Sequence, residues 1–433
     1  MTRQRRSPRE NLLKGACAEN DRAQQGGTGM ILFPSWSKRE SESEERKPPS
    51  RSFKGLPSTE FAFRLFEELK PGEKNLAICP YGARICLSMV WEGASGETRR
   101  EIAKGLGLEE LPDSLANRYE RLGRPLSFHK DAERLGLELL TANSLWCDQG
   151  FTPKEAYAAT LRNEYSAQIQ APDFRAAESA AIVNRWASEK TRGRIPAVVE
   201  SLERMSPLVT LNAVYFKGLW GIPFRAEFTK EEEFTLLDGT RQMVPMMRQS
   251  GEYRYAERGG AQIVKLPYMG SMSMRVVLPA KGTDFKKFCA ELRNTLGTDW
   301  TMRMGERDGH VRLPRFRMET TVSLNEPLKT MGMTQAFDPG RAELERINDR
   351  KPLYVAEVQQ KDFVEVNEKG TEAAAVTTTV LDAAAACPPE PPPPFEMIVD
   401  RPFVFAITDD LRGTVIFLGA VVDPLESGPA TAG

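Results

Sequence analysis

Apolar and polar residues change their spacing once along this chain, and the change divides it. Phe61, Leu65 and Leu69 recur every fourth residue, which gives a helix one buried stripe, and Ser58 stands where it can cap that helix. A second helix is predicted over residues 85–91, stopping at Gly93, and a third over 97–104, ending before Gly105 and Gly107. From about residue 205 the pattern is that of strands. Residues 208–216 are nearly continuous in apolar and β-branched side chains, as in a strand buried on both faces. Residues 261–266 and 272–278 predict two further strands with a turn between them, and residues 403–408 and 414–422 predict a hairpin around Gly413. Helices come first and strands later, without alternation, so the expected class is α+β.

Composition narrows the function. The 433 residues suggest about three domains by length alone. Lys+Arg 59 against Asp+Glu 60 gives a net charge of −1, which argues against nucleic acid as a partner. No apolar run approaches the roughly 18 residues of a membrane span. Residues 1–55 are rich in Arg, Glu, Ser, Gly and Pro and are expected to be disordered, as is a tail over 426–433. The basic N-terminus lacks the apolar stretch of a secretory signal. Six cysteines show no disulfide-like spacing and no Asn-x-Ser/Thr sequon occurs, so a cytoplasmic, reducing location is expected. Neither His129 nor His310 has a metal-ligand companion nearby, and no metal or cofactor is expected.

One connection is too long to be an ordinary loop. Between Val366 and Phe403 lie Gly370, a stretch of small and β-branched residues over 371–386, and a proline-rich run over 388–394 that must be extended. Read as a strand, one face of the middle part shows Thr371, Ala373, Ala375, Thr377, Thr379, Leu381 and Ala383. Both charges, Glu372 and Asp382, fall on the other face with Ala374, Val376, Thr378 and Val380. A segment that can join a sheet without burying a charge is a candidate for conditional strand insertion. An alanine–threonine linker has the same composition.

The residues flanking this loop resemble the serpin family from about residue 58 to 424. Glu368-Lys-Gly-Thr-Glu-Ala-Ala-Ala375 resembles the family's hinge, where the loop enters the central sheet. Asn212-Ala-Val-Tyr-Phe-Lys-Gly-Leu-Trp220 resembles the strand and turn at the top of that sheet. Residues 400–407 with 417–424 resemble the C-terminal signature, and residues 244–247, 313–317 and 328–337 fit in the expected order. Residues 365–370 and the proline-rich exit are similar to plant-type members. The resemblance implies one domain over residues 56–425, with three sheets, about nine helices and an exposed reactive loop over 368–395. It also implies a protease inhibitor rather than an enzyme. A protease attacks the loop, forms an acyl-enzyme, and is carried off as the cut loop inserts into the sheet. The hinge over Glu368, Gly370, Thr371, Glu372, Ala373, Ala374 and Ala375 has the small inward residues that fast insertion needs.

This sequence departs from the family at the place where the sheet must part. The usual Ser-Pro-x-Ser is Cys79-Pro-Tyr-Gly82, and the accompanying histidine falls on Gln360, while Asn212 is kept. Gln can still hydrogen-bond, and Cys is a weaker donor of similar size. Trp220 is grouped with these sheet-opening residues. Family spacing places the cleaved bond at Ala384–Ala385, with Ala385–Ala386 and Ala386–Cys387 as alternatives. Alanine before the cut suits serine proteases, or cysteine proteases, with small apolar pockets, elastase-like or subtilisin-like. It does not suit trypsin-like ones. A monomer is expected. Two other classes compete: a non-inhibitory serpin-like carrier or chaperone, and a polyproline ligand for SH3- or WW-like domains.

Overall fold

A computed structural model describes residues 57–108, 136–296, 304–371, 393–426 and 429–432. The predicted extension, His129, and the loop residues Glu372, Ala373, Ala374, Ala375, Ala384, Ala385, Ala386 and Cys387 lie outside these residues.

The first helix, α1 (Pro57–Glu68), buries Phe61 and Leu65 as its period predicts, and Ser58 falls inside its first turn rather than before it. The second, α2 (Pro80–Gly93), starts earlier than its apolar stripe suggests. Cys79 caps it: its Sγ accepts the Gly82 N–H at 3.3 Å, and Pro80 follows where a helix has no use for an N–H. Almost every residue of α2 is buried, Arg84 and Ser88 included, so no one-sided period marks its ends. Helix α3 (Gly96–Leu106) follows, then α4 (Glu155–Tyr165) and α5 (Ser179–Lys190). With three short ones, eight α-helices stand among the described residues, against about nine expected. None of these helices is long and apolar enough to cross a membrane.

The strands form two hydrogen-bonded sheets. One contains β2 (Leu137–Cys147), β3 (Gln168–Gln170), β4 (Leu208–Leu219), β10 (Phe316–Ser323), β11 (Glu357–Val366), β12 (Gly370–Thr371) and β16 (Pro429–Ala432). Its main order is β16-β10-β11-β4-β2-β3, with β12 paired to β4. The other contains β1 (Leu76–Ile78), β5 (Lys230–Thr235), β6 (Arg241–Arg258), β7 (Ala261–Pro267), β8 (Met272–Leu278), β9 (Gly305–Pro314), β13 (Phe395–Ile398), β14 (Phe403–Asp409) and β15 (Thr414–Val421). The expected third sheet is fused into this one by β6. Over 18 residues β6 pairs first with β5 and then with β7, and β9 lies along its opposite edge. The hairpin around Gly413 and the turn between β7 and β8 form as the sequence predicts.

The first sheet separates two cores, and that explains why β4 is buried on both faces. On one side Leu208, Val214 and Phe216 join the large core with α1 and α2. On the other, Leu211, Ala213 and Tyr215 pack with Phe363 of β11 and Val183 and Trp186 of α5. The two cores share one sheet, and the described residues all fall in one unit, so the three-domain estimate from length does not hold. Where a structureless tail was expected, residues 429–432 pair parallel to β10, from Glu319↔Pro429 to Val322↔Ala432. An edge strand offers a row of unpaired backbone groups, and these residues take it up.

Candidate functional site

Strands β4 and β11 run parallel, in register from Val209↔Glu357 to Tyr215↔Phe363. After β11 the chain reverses tightly. Asn367 N–H donates to the Gly370 carbonyl at 2.8 Å, and Gly370 N–H to that of Asn367 at 3.2 Å. Strand β12 then runs antiparallel to β4, with Gly370 opposite Leu219 and Thr371 opposite Gly218. Gly218 is already paired with Leu137 of β2 on its other side, so β12 occupies the edge of β4 that faces β11. The hinge is therefore the first rung of a strand entering between two parallel neighbours. Gly370 is required there: its φ is +139°, and an added Cβ would meet the Gly218 carbonyl oxygen at 2.0 Å.

Several side chains fix this rung. Thr371 is 1% exposed and its hydroxyl bonds the Tyr268 hydroxyl at 2.9 Å, on the side of the large core. The inward parity read from the sequence is thus realised at Thr371. Trp220 stacks on Tyr268 with ring centroids 4.5 Å apart, donates from Nε1 to the Asn367 carbonyl at 2.9 Å, and donates its backbone N–H to Lys369. Glu368 is buried. Its carboxylate accepts from Arg315 Nε at 2.7 Å and from the Thr229 hydroxyl at 2.6 Å. Burial pushes this carboxyl up, but the Arg315 and Thr229 hydrogen bonds outweigh it and hold it below the usual glutamate range. Tyr268, Thr229 and Arg315 were not legible as hinge residues. Tyr268 sits in what reads as a plain turn, and its partner lies far away in sequence.

Beneath the β4–β11 seam a second cluster ties both strands to α2. Gln360 donates from Nε2 to the Cys79 carbonyl at 2.8 Å and to Asn212 Oδ1 at 2.9 Å, joining β11 to β4. Asn212 Nδ2 donates to Asn143 Oδ1 of β2 at 2.8 Å. Gly82 explains its own departure from serine, since a Cβ there would stand 1.9 Å from Asn212 Oδ1. The structure thus gathers Cys79, Gly82, Asn212 and Gln360 as expected. Trp220 does not belong with them: eight residues of extended β4 separate it from Asn212, roughly 26 Å, and its contacts are all at the hinge. Asp362, which belongs to none of the motifs, completes the cluster. It is fully buried and its Oδ2 accepts the Cys79 N–H at 3.1 Å. Its place two residues after Gln360, on the same strand face, is the signal that was there to read.

The far end of the loop is also held. The Pro393 carbonyl accepts from Arg307 Nε at 3.2 Å and Nη2 at 3.0 Å. Phe395, opening β13, stacks on Tyr255 with centroids 3.9 Å apart. Glu396 pairs with Arg312 at 3.1 Å, and Arg312 reaches Glu232 at 3.2 Å, so one ionic line links β13, β9 and β5. His310 lies exposed on β9, its Nδ1 2.7 Å from the Ser250 hydroxyl. No group of three or more His, Cys, Asp or Glu suited to a metal ion occurs among the described residues.

Comparison with known proteins agrees with this geometry. Residues 57–424 match the family model described as Serpin (serine protease inhibitor). An uncharacterized serpin-like protein of Thermococcus kodakarensis is 33% identical, with 87% of this chain and 91% of that protein covered. The leukocyte elastase inhibitor of Xenopus laevis is 31% identical over 84% of this chain and 98% of its own length. The native state of tengpin, a thermophilic serpin, superposes with a TM-score of 0.74 at 28% identity, covering 85% of this chain and 93% of that one.

Proposed function

This chain belongs to the serpin family, and from that premise we propose that it inhibits serine proteases as a suicide substrate whose loop completes the β4–β11 seam. The observation that carries the proposal is β12. It is antiparallel to β4, on the edge facing β11, with an uncharged inward side chain at Thr371. Continued in the same register, the loop would bring Ala373 opposite Phe216, Ala375 opposite Val214 and Thr377 opposite Asn212. In that register all of these would face inward, and none carries a charge.

The steps follow from general chemistry. The protease's nucleophilic serine attacks the carbonyl of the residue before the cut, Ala384 in our reading, and the amine side leaves as a new N-terminus. An ester then links the protease to the hinge side of the loop. Only that side is free to move, because the exit side stays anchored by Arg307 and β13. Unpairing β4 from β11 costs one ladder, and inserting a strand between them forms two. About a dozen net hydrogen bonds at ~0.5–1.5 kcal/mol each give on the order of 10 kcal/mol to drive insertion before the ester hydrolyses.

Alanine at the cut supports targets with small apolar pockets, and one relative is named an elastase inhibitor. Incubation with an elastase-like protease, followed by a denaturing gel, tests the proposal. A covalent complex that survives denaturation is expected. Loop cleavage without a complex would overturn it in favour of a non-inhibitory carrier.

A further inference from the structure

We propose that Asp362 makes the parting of β4 and β11 proton-dependent, so that the seam opens more readily as pH rises. The inference rests on the inserting-loop function above and concerns its regulation. Asp362 lies in the middle of the seam, opposite Val214 of β4 and Thr320 of β10, and is 0% exposed. Among the described residues its Oδ2 has one donor, the Cys79 N–H, and its Oδ1 has no hydrogen-bond partner. A buried carboxylate stays ionised when several donors or an opposite charge compensate it. With one, the closed seam holds the neutral acid.

Among the described residues the surroundings offer no compensating charge. From α2 the titratable neighbour is the Cys79 thiol, pushed up by burial and then by the Asp362 charge itself. From β4 and β10 the residues in register are apolar or neutral. From β1, the Ala77 N–H is taken by the Thr320 hydroxyl. On β11 itself, Lys361 and Glu365 alternate to the opposite face, and Lys361 is paired with Glu319 at 2.9 Å. Burial accordingly pushes the Asp362 carboxyl well above the aspartate range, with the Cys79 N–H opposing it.

Geometry couples this acid to the seam. The Cys79 N–H is shared at 3.1 Å by Asp362 Oδ2 and Gln360 Oε1, and Gln360 carries the side-chain bond across to Asn212. An ionised Asp362 draws that donor to itself and loosens Gln360. Parting of the strands lets water reach the carboxylate. The sign follows. The closed state holds the raised carboxyl, so it is favoured below the ordinary aspartate range and loses that advantage as pH climbs through the raised value. One linked proton limits the effect to about tenfold in the opening equilibrium per pH unit.

A synthetic peptide with the sequence of residues 371–384 probes opening without any protease. Its annealing to the intact chain is followed on native gels between pH 5.5 and 9, where the free peptide's own Glu372 and Asp382 stay ionised. Wild type should anneal several-fold faster per pH unit over part of this range, and Asp362→Asn and Asp362→Ala should give flat profiles. Both variants keep Cys79, so a slope surviving in Asp362→Asn, or a flat wild-type profile, overturns the assignment. Absence of annealing at every pH in all three proteins would instead sink the inserting seam itself, and this proposal with it.

Discussion

Gly82 on α2 and Asn212 on β4 share one volume: a side chain on the first would stand 1.9 Å from the amide oxygen of the second. Asn212 uses that space to bond Asn143 and Gln360, and so ties β2, β4 and β11 together. Gly82→Ala gains up to about 1 kcal/mol of helix propensity. It loses two buried hydrogen bonds worth roughly 1 kcal/mol each and adds an overpacking cost of about 1–3 kcal/mol. Destabilisation wins, and the thermal midpoint should fall by several degrees. A midpoint at or above wild type would show that Asn212 has another place to go.

Thr371→Arg puts a charge on the inward face at the first rung, against Tyr268. Insertion past that point must bury it or expel it, so the loop should be cut without the protease being held. On a denaturing gel the complex should give way to cleaved chain. Undiminished complex formation would mean that inward parity at the hinge does not control the outcome.

The exit side is held by two devices of very different strength. Phe395 is 4% exposed and lies on Tyr255, whereas Glu396 is more than half exposed beside Arg312. Phe395→Ala should cost about 3–5 kcal/mol, and an exposed ion pair contributes about 0–1 kcal/mol. Freed of Phe395, β13 can peel away and let the uncut loop insert. That variant should lose inhibition on storage at 37 °C while its thermal midpoint rises, and Glu396→Ala should hold its activity. Equal decay in the two variants contradicts this ranking.

Glu368 titrates in the direction opposite to Asp362. Its carboxyl is held below the glutamate range, so its contribution is complete above the ordinary value, about 4.3, and disappears as pH falls through the depressed one. Between pH 6 and 3 the wild-type thermal midpoint should drop further than that of Glu368→Gln, which cannot ionise. Parallel lines for the two proteins would remove Glu368 from the acid response of the hinge.

Local patterns carried most of the fold. The strands at 208–216, 261–266, 272–278, 403–408 and 414–422 were readable because alternation, β-branching and turn residues act within a few positions. The inward face of Thr371 was readable for the same reason. What depended on distant partners was not. Nothing within α2 says that Gly82 must make room for Asn212, or that Arg315 waits for Glu368. The fusion of two expected sheets by β6, and the pairing of residues 429–432 with β10, also depend on partners remote in sequence. Trp220 was placed with Asn212 because they share a motif, yet an extended strand carries its ends far apart.

The pairing of Pro429–Ala432 with β10 has a consequence for the geometry of growth. A sheet with a bare margin can recruit any passing strand from outside. Here the margin beside β10 is already taken by Pro429–Ala432, while β12 holds the seam in the interior ajar by one rung. A strand added at the middle meets a different situation, a slot whose first two positions the chain's own loop already fills.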